Sequence, residues 1–237
     1  MASGFVTSEH EIPEVREDGD TATVRVTIGG ASGSDRLEQR VMRFAPGRSR
    51  ERASGDRTEV LFVVSGRGAV IVEGDEHEVG AGDGVYVAAG ERYEVDTSEG
   101  LTLVSVTAPA IAETDGQRAV VVRYDDQPTL RATKARTFRY LVNQDAGCPD
   151  VTQFVGIIDP SREGMHSHVY DEVIYVIEGD GAVYFEDWER TITAGSCIHL
   201  PPYTLHILEN SGTGPMRILG VFHPSGDPAS RASELPV

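Results

Sequence analysis

Basic residues are scarce in this chain: 21 stand against 38 acidic ones, a formal net charge of −17. That balance repels phosphate backbones and anionic membrane surfaces, so nucleic acid is not an expected partner. Lysine is nearly missing, Lys134 being the only one, and no function follows from its rarity. Cysteine is limited to Cys148 and Cys197, too few for a disulfide framework, and two free thiols in a reducing compartment are expected. No apolar run approaches the ~20 residues that cross a bilayer. The start, MASGFVTSEHEIPEVREDGD, has no basic segment leading into an apolar one. The expectation is a cytoplasmic protein with no membrane partner. Helical periodicity is also rare: only SEHEIPEVRED and the stretch around QPTLRATKAR could hold a helical turn.

What the chain does contain is a repeat. Sliding it by 113 residues lays EVLFVVSGRGAVIVEGDEHEVGAGDGVYVAAGERYEV, from Glu59, on EVIYVIEGDGAVYFEDWERTITAGSCIHLPPYTLHIL, from Glu172, without a gap. Glu59/Glu172, Gly66/Gly179, Gly68/Gly181 and Gly82/Gly195 coincide, and most other positions keep their apolar or polar character. Within each copy the segments are short, rich in Val, Ile, Tyr and Phe, and broken by Gly, Pro or Asp-Gly about every 8 to 12 residues, as in an antiparallel sandwich or barrel. The reading is all-β, with two tandem barrels: residues 1–110, a linker at 111–135, a second barrel at 136–225 and a polar, mobile tail at 226–237.

The stretch MHSHVYDEVIYVIEGDG, from Met165, places His166 and His168 two residues apart. On an extended chain that spacing puts both imidazoles on one face. Glu172 keeps the same parity and opens the next apolar strand, and GSCIHLPPYTLHILEN offers His206 after a Pro-Pro turn, on a strand able to return across the barrel. Three imidazoles and one carboxylate suit one divalent transition metal, Mn, Fe, Co, Ni or Zn, and on a six-coordinate ion leave two positions open.

These residues resemble the cupin superfamily in its two-domain, bicupin form. The family's first motif, Gly-x5-His-x-His-x3/4-Glu-x6-Gly, is matched by His166, His168, Glu172 and Gly179, with Pro160 in place of the first glycine. Its second, Gly-x5-Pro-x-Gly-x2-His-x3-Asn, is matched by Gly195, Pro201, His206 and Asn210, with Tyr203 in place of the inner glycine. The resemblance implies two double-stranded β-helix (jelly-roll) barrels, with one metal ion held in the second by His166, His168, Glu172 and His206.

The same shift of 113 sets Ala53 against His166, Gly55 against His168 and Tyr93 against His206, leaving only Glu59 as a counterpart of Glu172. The N-terminal barrel is therefore expected to lack a metal, and Glu59 to pair with an arginine such as Arg57. Tyr170 shares the parity of the two histidines and is the candidate acid or orienting group; a rim aromatic is the plainer reading. Tyr203 could narrow the entrance, and Cys197 or His199 could line the barrel, although a satisfied core histidine is the simpler role for the latter. Asp171 and Asp180 are candidate partners for the ligands' second ring nitrogens. Trp188 reads as a hairpin aromatic packed on the barrel wall. Arg48, Arg50, Arg52 and Arg57 crowd GRSRERASGDR, either an anion-binding loop or one neutralised by its own Glu51 and Asp56.

A metal inside an apolar barrel makes a pocket for a small organic molecule with oxygen or nitrogen donors. The leading expectation is a metal-dependent enzyme of dioxygenase type, which the three-His-one-Glu set resembles. The alternatives are an oxygen-independent isomerase, decarboxylase or aminohydrolase, and a binding or sensor module that does no chemistry. Bicupin (S)-ureidoglycine aminohydrolases also keep their metal in the C-terminal barrel, but with ligand exchanges this chain does not show. Oxalate decarboxylase-like chemistry, with metal in both barrels, fits poorly with Ala53, Gly55 and Tyr93. Exposed strand edges favour a homodimer.

Overall fold

The structure is a computed structural model and describes residues 4–16, 18–111 and 118–234. Parts of the expected linker (112–117) and tail (235–237) lie outside these. Each half of the chain is a pair of facing antiparallel sheets. In the C-terminal half one sheet runs, in spatial order, Phe5–Ser8, Ser196–Leu200, Asp171–Glu178, Met216–His223, Thr152–Ile158, Arg136–Tyr140 and Leu130–Arg131. Its partner runs Glu189–Ile192, Gly181–Phe185, His206–Asn210, His166–Ser167 and Ser233–Glu234. In the N-terminal half the order is Val121–Val122, Gly84–Val87, Arg57–Val72, Leu101–Pro109, Glu38–Phe44, Ala22–Ile28 and Val15–Arg16, with Arg92–Thr97 and Asp75–Gly80 on the facing side of the bend. No helix among the described residues is long and apolar enough to cross a membrane.

Strict alternation assigns the two faces of each strand. Along Arg57–Val72, Leu61 and Val63 fill the N-terminal barrel with Val70, Tyr93 and Leu103, while Val60 and Phe62 point the other way. Those outward residues meet Val173, Tyr175, Leu219 and Val221 of the second half in one continuous core, so the two barrels are packed back to back. Truncating one such fully buried side chain to Ala destabilises a protein by about 2–5 kcal/mol. The repeated glycines mark the corners where the chain passes from one sheet to the other. Gly66 has φ +88° and a Cβ there would sit 2.3 Å from the Gly100 carbonyl oxygen; Gly179 has φ +96° and a Cβ would sit 2.8 Å from Met216 Cα. Only a residue without a side chain fits either corner.

Four short strands depart from the sequence reading. Residues 1–110 do not form a barrel on their own, because Phe5–Ser8 crosses to the other half and pairs with Ser196–Leu200, Phe5 opposite His199. The return exchange comes from within the expected linker: Val121–Val122 pairs with Gly84–Val87 of the first barrel, the strand that the shift of 113 equates with Ser196–Leu200. Further on in that linker Leu130–Arg131 pairs with Arg136–Tyr140, so the stretch around QPTLRATKAR holds a hairpin and not a helical turn, whereas SEHEIPEVRED does hold one, the 3₁₀ turn Glu9–Glu11, ahead of the strand Val15–Arg16. The described part of the tail is also fixed in place. Ser233–Glu234 pairs with His166–Ser167, and the Ala232 amide donates to the Ser167 carbonyl at 2.8 Å.

Candidate metal centre

His166 and His206 are direct register partners on adjacent strands of the C-terminal barrel, and His168 follows on the same face as His166. The three imidazoles are buried, and one donor nitrogen of each lies within 4.8 Å of the others. What aims them is the backbone. The Nδ1 atoms of His166, His168 and His206 sit 3.1, 2.9 and 2.9 Å from the carbonyl oxygens of Gly164, Ser230 and Thr204. With Nδ1–H donating to a carbonyl, the lone pair that remains is on Nε2, which is how a ligating imidazole is held. Burial drives His166 and His168 down to about 4 and holds His206 well below the usual imidazole range, so all three are neutral donors at physiological pH.

Glu172 is buried within the same barrel, opposite Leu200 in register, and its Oε2 lies 3.9 Å from His168 Nε2. It stands just outside the tight group of three imidazoles. Donors held about 2.0–2.2 Å from a common ion are about 3–4 Å apart, so this carboxylate is at a ligand's distance from its neighbour. Burial pushes its carboxyl up to about 8, with Arg136 pulling the other way. Three neutral nitrogens and one carboxylate, desolvated together and already oriented, fit a borderline divalent metal.

These groups line a narrow cavity of ≈ 70 Å³. Phe138, Phe154, Ile158, Leu200 and Leu208 form its apolar wall, and Arg136 and Arg231 bring two guanidinium groups to it. Both arginines converge on Glu163: Arg231 Nη2 at 2.7 Å and Arg136 Nε at 3.3 Å from Oε2, with Thr133 donating to Oε1. Two guanidinium groups thus share one carboxylate at the cavity wall. Arg231 is delivered by the C-terminal segment, which also supplies the Ser230 carbonyl behind His168.

Arg136, Glu163, Arg231 and the Ser230 carbonyl escape the sequence reading. Arg136 falls in the expected barrel next to the linker, and the tail is polar and carries no strand alternation, so nothing in either marks a site. Asp171 and Asp180 do not take up the ligands' second nitrogens. Asp171 points away from the cavity and accepts from His199 Nε2 at 2.7 Å, in the buried layer between the barrels. His199 is thus a core histidine, and Cys197 lies with Cys148 in the inter-barrel core as a free thiol. Tyr170 reaches the centre differently from an acid. Its ring stacks on His168 and on Phe222, with centroids 4.9 and 3.9 Å apart. Its hydroxyl lies 3.0 Å from His168 Nδ1, the nitrogen turned away from the other imidazoles. Ring and hydroxyl of Tyr170 thus both contact His168. Tyr203 is 64 % exposed with φ +62° and its amide donates to the His168 carbonyl, so it shapes the turn without lining the cavity. Trp188 stacks on Phe185 at 4.4 Å, on the barrel wall as expected.

The equivalent position in the N-terminal barrel is closed by side chains. Glu59, fully buried, accepts from Tyr93 Oη at 3.0 Å and from Ser105 Oγ. Burial raises the Glu59 carboxyl and the Tyr93 phenol above their usual ranges. Arg57 does not pair with Glu59; it donates to Thr107 and to the Arg36 carbonyl. The register also shifts one residue from the sequence alignment. His166 faces His206, but Tyr93 faces Arg52, so a guanidinium and not Ala53 occupies the place of His166. Arg52 is ion-paired with Asp20 and Arg48 with Glu94, so these two arginines of the loop are neutralised from outside it and not by Glu51 and Asp56.

Two back-to-back jelly-roll barrels, one of them with an inward-facing cluster of imidazoles, define the bicupin class. The cupin domain profile matches residues 40–107 and 155–222, over half of the sequence, and the chain belongs to the cupin family. An oxalate decarboxylase variant from Bacillus subtilis superposes with a TM-score of 0.79 at 15% identity, over 100% of this chain and 80% of that one. The Lactobacillus farciminis oxalate decarboxylase in complex with formate superposes with a TM-score of 0.74 at 15% identity, over 92% and 86%. At these identities the likeness concerns the fold. The uncharacterized protein MJ1618 of Methanocaldococcus jannaschii is 32% identical over 65 residues, 27% of this chain and about half (52%) of that protein.

Proposed function

We propose that this protein is a one-metal bicupin enzyme acting on a small organic acid in its C-terminal barrel. The observation that carries the reading is the joint presence, around one ≈ 70 Å³ cavity, of three pre-aimed imidazoles, a buried carboxylate and two arginines. A divalent transition metal held by His166, His168, Glu172 and His206 would supply a Lewis acid with open positions. The rest falls to the chain. Arg136 and Arg231 bind the substrate's carboxylate, and a guanidinium fork suits that group bidentately. Phe138, Phe154, Ile158, Leu200 and Leu208 exclude water, which strengthens those ionic contacts. Tyr170, clamped on Phe222, and the Ser230 carbonyl keep His168 in one orientation.

The leading reaction class is oxygen-dependent, of the dioxygenase kind. A second reading, oxygen-independent decarboxylation, is favoured by the arginine wall, which is built to hold a carboxylate. Support for the metal comes from the donor set here and, by analogy of fold, from the Mn(II) centres of Bacillus subtilis oxalate decarboxylase. The test is to reconstitute the protein with Mn(II), Fe(II), Co(II), Ni(II) or Zn(II), measure metal content, and incubate it with short keto, hydroxy and dicarboxylic acids with and without oxygen. About one metal per chain and oxygen uptake with one of these acids is expected. Equal turnover without oxygen selects the decarboxylase reading. Saturable binding without turnover makes the protein a sensor, and absence of metal in every reconstitution overturns the proposal.

A further inference from the structure

The mouth of the N-terminal barrel is a second cavity, of ≈ 360 Å³, lined by Gly29, Gly30, Ser34, Arg40, Ser54 and Arg57 among others. Its character follows from a replacement visible only when the two barrels are compared strand by strand. Leu61 pairs with Ser105 as Ile174 pairs with Gly220, and across from those lie Arg40 and Phe154. In the shift of 113, Arg57 stands where the other barrel has Tyr170. Two aromatic side chains at the mouth of the metal-binding barrel are thus two guanidinium groups at the mouth of the metal-free one.

Four charged side chains line this mouth, Arg40, Arg57, Glu38 and Asp35, and only Arg40 and Glu38 are joined directly. Arg40 is bound to Glu38, at 2.6 Å through Nε. Arg57 is fixed by neutral acceptors alone: Thr107 Oγ1 at 3.2 Å, the Thr107 carbonyl at 3.1 Å and the Arg36 carbonyl. Among the described residues it has no carboxylate partner. Its guanidinium is therefore held in place with its charge uncompensated, which is the condition for binding an anion at little ordering cost. Glu59, two residues on along the same strand face, is engaged by Tyr93 and Ser105 and is not among the residues lining this cavity. The other acidic side chain of the cavity, Asp35, is exposed.

We propose that the mouth of the N-terminal barrel is a metal-independent binding site for a small oxyanion, a carboxylate or phosphate group, with Arg57 as its principal anchor and Arg40 as the second. The site is independent of the chemistry assigned to the C-terminal barrel and would serve an effector or a second group of a larger ligand.

The test is calorimetric titration of the purified protein with inorganic phosphate and, separately, with malonate, which distinguishes the two sources of oxyanion. Saturable binding of at least one of them at one site per chain is expected, weakened about 10-fold or more by Arg57→Gln, a change of about 1.4 kcal/mol. Arg231→Gln, in the other barrel, should leave that site's affinity unchanged. Gly30→Glu is a second route that spares the arginine's bracing role. A Cβ at Gly30 meets nothing within 4 Å, so the substitution meets no steric obstacle and adds an anionic side chain at a residue that lines the cavity. It should weaken binding as Arg57→Gln does. Absence of saturable binding for both probes, or binding that survives Arg57→Gln and Gly30→Glu but is lost in Arg231→Gln, overturns the proposal.

Discussion

The two barrels share a strand order, a glycine frame and one carboxylate, yet they handle that carboxylate in opposite ways. In the C-terminal barrel Glu172 has no hydroxyl donor among the described residues and faces three imidazoles, each braced from behind by a carbonyl. In the N-terminal barrel Glu59 is covered by Tyr93 and Ser105, with Arg52 opposite Tyr93 in register. One interior turns its buried acid toward nitrogen donors that suit a divalent cation; the other satisfies its buried acid from within the chain. A buried polar group is stable in either form only if it is paired. The fold thus tolerates both solutions, and the choice depends on a few positions and a single-residue shift in register.

The comparison breaks most visibly at its metal. His206→Ala should lower metal affinity by at least about 100-fold, more than loss of an outer-sphere partner would. Tyr93→Phe, at the matching position, should leave metal content at its original level and cost about 1–2 kcal/mol of stability through the lost hydrogen bond. Elemental analysis and chemical denaturation of the two variants read both effects.

A smaller effect is expected from the C-terminal segment. A chain ending at Pro224 loses the Ser230 carbonyl behind His168 and the Arg231–Glu163 pair. Metal affinity, measured by competition with a chelator, should fall about 10- to 100-fold, as it does on losing groups that orient ligands. Unchanged affinity would show that Tyr170 and Phe222 hold His168 without help.

The smallest effect sharpens the contrast from the N-terminal side. Burial holds the Glu59 carboxyl above its ordinary range, so the folded state favours its protonated form. That contribution is intact in acid and is lost as pH rises through the raised value. Glu59→Gln, which cannot ionise, should match the parent near pH 4, about the unfolded pKa of a glutamate. At pH ~8 its melting temperature should be higher by about 2–4 °C. A variant that is less stable than the parent at both pH values would show that the ionised carboxylate is what Tyr93 and Ser105 stabilise.

Strand alternation and the paired glycines made the barrels legible in the sequence, because each is a local signal: a period of two, or a corner where no Cβ fits. The histidines were legible for the same reason, since His-x-His on a strand fixes its own geometry. What stayed hidden depends on distant segments. Nothing in the tail announces that the Ser230 carbonyl orients His168, because a backbone carbonyl carries no sequence signature. Arg136 and Arg231 are separated by almost the whole second barrel and meet only over Glu163. Gapless alignment pointed to Ala53 as the counterpart of His166, whereas ladder register selects Arg52; a slip of one residue reverses which face a strand presents. Asp171 illustrates the same limit: adjacent to Glu172 in sequence, it faces the opposite side of the sheet.

The reciprocal exchange of Phe5–Ser8 and Val121–Val122 means that neither barrel is coded by a contiguous piece of the gene. A scissile bond introduced between the halves would leave them clasped through these strands, while either half produced alone would display a bare sheet margin prone to recruiting whatever strand it met first. For anyone dividing this polypeptide into fragments, the indivisible object is the interlocked pair.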